Sequence, residues 1–197
     1  VQADIGIAMG LSGTDVAREA ADLVLSDHNF SAIVGGIEEG RAAYDNIRKV
    51  IYLLVATGFA EVVLFLLAIS FGLPLPLGAV QLLWLNLITN GGQDVALAFE
   101  APEERLLSRP PRSPAQPLFD GPMIAQVLLS GLYMGSASFG VFAAALWFGA
   151  SEAEARNMVL FLLVLFENVQ VFNVRSERRS TFTIGLSRNW LLIIAVA

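Results

Sequence analysis

The sequence predicts a mainly α-helical protein, a multi-span transmembrane helix bundle preceded by a small α/β piece. Three observations carry this. Of 197 residues, 55% are hydrophobic and the mean hydropathy is +0.64, more apolar than an ordinary soluble domain. The apolar residues concentrate after Val50, in runs close to the ~20 residues that a helix needs to cross a bilayer. The stretch before residue 30 has no such run and instead alternates short apolar segments with polar ones.

In that first stretch, Ala3 to Met9 alternate around Ile5 and Ile7 and read as a short strand ending at Gly10. Thr14 is placed to cap a helix, with Asp15 favourable in its first turn; the helix should reach about Ala21, and Asp22–Leu25 is a second strand. Strand, helix and strand over so few residues cannot hold a core, so 1–30 reads as the edge of an α/β domain. Asp4, Asp15 and Asp22 form no catalytic spacing and read as capping and solvated residues. Ser31 can cap the next helix, which carries Ile33, Val34 and Ile37 on one side and Glu38, Glu39 and Arg41 on the other. It continues through Asn46, Ile47, Arg48 and Lys49 into the first apolar span. Residues 31–49 are therefore a stalk, a stiff rod able to carry motion into the membrane.

The membrane part occupies 50–197, with spans at about Val50–Phe71, Ala79–Phe99, Met123–Phe148 and Asn157–Val174, and the start of a fifth at Asn189. Leu73–Gly78 is a tight hairpin. Arg18, Arg41, Arg48 and Lys49 precede the first span, Arg105, Arg109 and Arg112 follow the second, and Arg175, Arg178, Arg179 and Arg188 follow the fourth; Arg156 falls on the other side. This bias places residues 1–49 and those loops in the cytoplasm. The net charge of −6, with no basic stripe, argues against nucleic acid. No cysteine is present, which excludes disulfides and thiolate metal sites; His28 reads as a solvated loop residue. No signal peptide opens the chain. It begins on Val and ends within an apolar run, which predicts a fragment of a longer protein. Gly131, Gly135 and Gly140 in the third span, and Gly58 and Ala60 in the first, predict that these two helices pack closely.

The chemistry concentrates in Gln81–Phe99. Asn86, Thr89, Asn90, Gln93 and Asp94 follow an i, i+3, i+4, i+7, i+8 pattern, one helix face. Each would be costly facing lipid. Gly91-Gly92 within the run predicts a weakened helix there and freed backbone carbonyls. Glu61 lies mid-span in the first helix and Glu167 in the fourth, with no Lys or Arg at matching depth. Buried carboxylates without a basic partner are protonated or bind a cation. Glu61, Asn86, Thr89, Asn90, Asp94 and Glu167 are the candidate metal-binding residues; their oxygen donors suit hard cations such as Ca²⁺, Na⁺, K⁺ or Mg²⁺. The plainer reading is that these groups only hydrogen-bond neighbouring helices.

Several segments resemble one family. The stretch from Ala3 through Met9, Gly10, Thr14, Asp15, Val16, Ala17 and Arg18 to Leu25 resembles the segment after the TGDGxND hinge motif of P-type cation ATPases. Asn46-Ile-Arg-Lys49 resembles the start of their fifth membrane helix, Gln81-Leu-Leu-Trp-Leu-Asn-Leu-Ile-Thr-Asn90 their sixth, and Arg109-Pro-Pro-Arg-Ser-Pro114 the loop that follows. The resemblance covers essentially the whole chain and is greatest to pumps of the sarcoplasmic-reticulum calcium type and their bacterial relatives.

That resemblance implies the C-terminal edge of a Rossmann-like, haloacid-dehalogenase-type phosphorylation domain, a stalk, and membrane helices five to nine of an ATP-driven pump in the plasma (inner) membrane. It implies Mg²⁺ and ATP as cofactors of the full-length protein, bound outside this chain, and as partners the membrane lipid and the missing N-terminal part. No catalytic residue is carried here, so the chain alone should not hydrolyse ATP. Glu61, Asn86, Thr89 and Glu167 match family calcium ligands. Gly58 stands where the calcium pump has Asn, and Asn90 where it has an Asp shared between two ions; Asp94 matches no ligand position. Ca²⁺ is the first choice of substrate, with one divalent ion or a monovalent cation (Na⁺ or H⁺) per cycle. The competing classes are a passive channel or secondary transporter, and a helper subunit without catalysis.

Overall fold

The computed structural model describes residues 4–26, 29–102, 106–113, 116–176, 185 and 188–197. His28, Arg105, Arg178, Arg179 and Pro114, all singled out above, lie outside the described residues. The chain divides into two compact units, Val1–Ala42 with Pro102–Pro110, and Ala43–Ala101 with Pro111–Ala197.

The first unit contains strand β1 (Ile7–Met9), helix α1 (Asp15–Glu19) and strand β2 (Leu23–Leu25). The strands form a two-stranded parallel sheet with Ile7 opposite Leu23. As expected, Thr14 caps α1, its hydroxyl accepting from Ala17 N at 3.2 Å. Asp22 accepts from Gly6 N at 2.8 Å and Asp15 pairs with Arg18, so both acids serve local structure. Helix α2 begins at Ser31, yet Ser31 is not its cap. The Asn29 side chain does that work, its Oδ1 accepting from Ser31 N at 3.0 Å. The Arg41 guanidinium donates to Leu106 O and Arg109 O, both at 2.9 Å.

Helix α2 runs unbroken from Ser31 to Ser70, 40 residues. It ends on Gly72, whose φ of 68° lets Leu73 N reach back to Ala68 O at 2.9 Å, a Schellman closure that a side chain would oppose. The second unit continues with α3 (Ala79–Leu83), a π-helical segment (Trp84–Thr89) and α4 (Asn90–Ala98), then α5 (Gly121–Trp147), α6 (Glu152–Val174) and α7 (Trp190–Val196). Asp120 caps α5, accepting from Met123 N at 3.0 Å. That bond and the Arg48 guanidinium at 2.9 Å hold its carboxyl below the usual range. Helix α6 starts earlier than hydropathy suggested because Ser151 and Glu154 close a reciprocal capping box over its polar first turn.

Among the described residues three helices, α2, α5 and α6, are long and apolar enough to cross a membrane. The fold is thus mainly helical, and among the described residues its sheet has two strands. The run 79–98 is helical throughout but in three pieces, and here the structure corrects the sequence. The irregularity is the π segment at Trp84–Thr89, not Gly91-Gly92, which sit within the regular helix α4. A π turn arises when one extra residue is accommodated inside a helix, and no residue type announces it; paired glycines merely lower helix propensity, which packing overrides here.

Two apolar clusters build the second unit. One gathers Leu53, Ala56 and Ala60 of α2 with Leu97, Met134, Val171 and Leu192. The other gathers Leu64, Leu85, Phe142, Val159 and Leu163. Glu61 on α2, Asn90 and Gln93 on α4, and Glu167 on α6 lie between the two. The expected close approach of α2 and α5 is present. A Cβ at Gly135 would lie 2.5 Å from Ala60 O and 2.7 Å from Val63 Cβ, and one at Gly131 would lie 3.0 Å from Ala56 O. At Gly140 a Cβ would meet nothing within 4 Å, so that glycine is no part of the seam. Gly135→Leu is therefore expected to destabilise the protein by roughly 1–3 kcal/mol through overpacking, while Gly140→Leu leaves the melting temperature unchanged. Thermal unfolding in detergent, followed by size-exclusion chromatography, checks both; equal melting temperatures for the two variants would refute the seam.

Candidate cation site

Between the apolar clusters, side chains of α2, α4 and α6 converge. Asn90 is fully buried and Glu167 is 2% exposed. The Asn90 amide nitrogen donates to Thr57 Oγ1 and to Glu167 Oε1, both at 3.4 Å. The Thr57 hydroxyl in turn donates to Leu53 O at 3.0 Å, which leaves its lone pairs toward Asn90. One turn on, Gln93 is also fully buried and donates to Asn168 Oδ1 at 2.7 Å. Nearer the N-terminal end of the run, the Asn86 amide donates to Glu61 Oε1 at 3.0 Å and Oε2 at 3.3 Å.

The structure thus joins the predicted residues in two groups, Glu61 with Asn86 and Asn90 with Glu167. Asp94 makes no side-chain hydrogen bond to either among the described residues, and its Oδ1 is buried without a partner. Thr89 is half-buried at the last π position and makes no side-chain hydrogen bond among the described residues. Thr57, Asn168 and Gln170 went unnoticed in the sequence. A threonine in an apolar helix is unremarkable, although Thr57 lies four residues before Glu61, on the same face. Gln93 was seen on the polar face but not among the candidates.

Among the described residues of α4 and α6, four buried side-chain oxygens have no hydrogen-bond partner: Asn90 Oδ1, Gln93 Oε1, Asp94 Oδ1 and Glu167 Oε2; Gln170 Nε2, a donor on α6, has none either. Buried polar atoms are rarely left so, and on Asn90 and Gln93 the same amide's nitrogen is satisfied while its oxygen is not. Unpartnered oxygens on two carboxyl groups and two amides are chemically complementary to a hard cation. Among the described residues no three His, Cys, Asp or Glu side chains gather to hold a metal by themselves, so any such role needs the amides. A Cβ at Gly58 would meet nothing within 4 Å, so glycine leaves open space on the α2 side.

Three described helices long and apolar enough to cross a bilayer mark an integral membrane protein. Residues 74–197 match the model of the cation-transporting ATPase C-terminus. The chain is 39% identical over 196 residues to the probable cation-transporting ATPase F of Mycobacterium tuberculosis (strain H37Rv), covering 100% of the chain and 22% of that protein. It is 40% identical over 196 residues to the calcium-transporting ATPase of Bacillus subtilis (strain 168), again covering 22% of the relative. This chain belongs to the P-type cation-transporting ATPases and carries their C-terminal region. It spans about a fifth of the length of these curated relatives.

Proposed function

We propose that this chain supplies the membrane cation site and stalk of an ATP-driven pump whose substrate is Ca²⁺. The observation that carries the reading is the set of four buried, unpartnered oxygens on α4 and α6. Glu61, Asn86, Asn90, Asp94 and Glu167 serve as ligands, with Thr57 and Gln93 added and Thr89 completing the set from the π segment. Asp94 supplies a negative charge one turn beyond Asn90. The 40% identity to the Bacillus subtilis calcium-transporting ATPase supports the choice of ion.

In this reading residues 1–30 are the edge of a haloacid-dehalogenase-type phosphorylation domain, 31–49 the stalk and 50–197 the transport domain, with 79–98 as a further span. Mg²⁺ and ATP bind elsewhere in the full-length protein, where in-line phosphoryl transfer depends on the metal and on positioning. Residues 1–49 face the cytoplasm of a plasma membrane by the basic-residue bias, and lipid and the rest of the pump are the partners. A monovalent substrate (Na⁺ or H⁺) is the second reading, favoured by the neutral amides of Asn90 and Gln93 at the most buried positions.

The test is phosphoenzyme formation from labelled ATP by the full-length protein in membranes, scanning Ca²⁺, Mn²⁺, Na⁺, K⁺ and pH. Ca²⁺ should stimulate it at low concentration, and Glu61→Gln should remove the stimulation. Stimulation by Na⁺ or protons alone would replace calcium with the second reading. A full-length protein that forms no phosphoenzyme with any cation would leave the channel or helper readings.

A further inference from the structure

A second polar cluster lies at the far end of the same helices. Glu100, just past α4, is 5% exposed, and Arg175, at the end of α6, is 2% exposed. The Arg175 guanidinium donates to Glu100 Oε1 from Nε at 3.1 Å and from Nη2 at 2.8 Å. The other carboxylate oxygen accepts from Asn189 Nδ2 at 2.7 Å, and Asn189 Nδ2 also donates to Ala96 O at 2.8 Å. Asn189 Oδ1 caps α7 by accepting from Leu192 N at 3.1 Å. Asn46 of α2 donates to the backbone oxygens of Ala98 at 3.1 Å and Glu100 at 2.8 Å. One carboxylate therefore ties the ends of α4, α6 and α7, and its backbone ties α2. By position alone Arg175 is one of the basic flanking residues of a span; the structure withdraws it from solvent.

The spacing gives the cluster its meaning. Gln93 bonds Asn168, and Glu100 bonds Arg175, each pair separated by 75 residues. Both helices advance by the same seven residues between the two pairs, about two turns. Helices α4 and α6 thus run parallel in a single register read twice, once beside the candidate cation site and once at the buried ion pair. A slip of either helix by one turn would part both pairs and carry Asn90 away from Glu167.

We propose that the Glu100–Arg175 pair, with Asn189, is a positioning clamp that holds the cation-ligating face of α4 in register with α6. It touches no ion and sets cation affinity through Asn90, Gln93 and Glu167. The inference rests on the pump reading above. A buried ion pair is a poor source of net stability, but its geometry is directional and an unpaired member is costly. Its value here is register.

The experiment measures cation-dependent phosphorylation and thermal unfolding of the full-length protein with Glu100→Gln, Arg175→Met, Arg175→Lys and the double variant Glu100→Gln/Arg175→Met. Glu100→Gln and Arg175→Met should each raise the cation concentration for half-maximal phosphorylation at least tenfold, with the maximal level per folded molecule largely kept. Arg175→Lys should recover only part of the affinity, because it keeps the charge but not the two-nitrogen contact to Glu100 Oε1. The double variant, with no lone buried charge, should recover the melting temperature but not the affinity. A double variant with wild-type affinity would overturn the clamp. So would single variants that lose stability and maximal level in step at unchanged affinity, or that change nothing. A wild type without cation-dependent phosphoenzyme would instead overturn the pump reading and the clamp with it.

Discussion

Glu167→Gln in the full-length protein is expected to lower cation affinity by two to three decades while the protein still folds. The carboxylate is 2% exposed, one oxygen is bonded only by the Asn90 amide at 3.4 Å and the other has no partner. Two unit charges 4 Å apart gain about 4 kcal/mol at an effective dielectric constant of 20, and each decade of affinity corresponds to about 1.4 kcal/mol. Neutralising this group therefore removes roughly two to three decades of affinity. Folding should survive, because glutamine keeps the shape and Glu167 has no basic partner to strand. Equilibrium binding of radioactive Ca²⁺ to solubilised protein reads the affinity, and thermal unfolding without cation reads the fold. Unchanged binding would remove Glu167 from the site, whatever the variant's stability.

Asn90→Asp should move affinity the other way, raising it for Ca²⁺ by about one to two decades and for Na⁺ by less, since attraction scales with ionic charge. The new carboxylate would sit against Glu167 on one side and Thr57 Oγ1 on the other, in place of the amide that now donates to both. Without a cation the two acids repel and one must hold a proton; a divalent ion relieves that repulsion. Unchanged or weaker Ca²⁺ binding, measured as above, would show that the ion does not approach Asn90.

Much of this site was legible because the bilayer makes polar residues conspicuous. Five polar side chains on one face of an apolar run, with Glu61 and Glu167 in neighbouring spans, announce themselves against a background of Leu and Val. The α2–α5 seam was legible for the same reason, in the spacing of Gly131 and Gly135. Thr57 was not, because a lone threonine in a helix is commonplace and its role depends on which neighbour faces it. The Glu100–Arg175 pair was hidden by position. Both residues stand at span ends, where charge is expected to be solvated, and 75 residues separate them. The π segment has no compositional signature, whereas Gly91-Gly92 has a strong one, and the stronger signal pointed to the wrong turn.

The π segment also divides the labour of the polar face. In a uniform α-helix, residues four apart stack over the same neighbour. Asn86 lies inside the π segment and Asn90 just beyond it, and a wider turn advances each residue through a smaller angle. The two asparagines both meet α2, Asn86 at Glu61 and Asn90 one turn earlier at Thr57, and of the two Asn90 alone also reaches Glu167 of α6. The rod thus meshes with one neighbour at two levels and with a second neighbour at the level of Asn90.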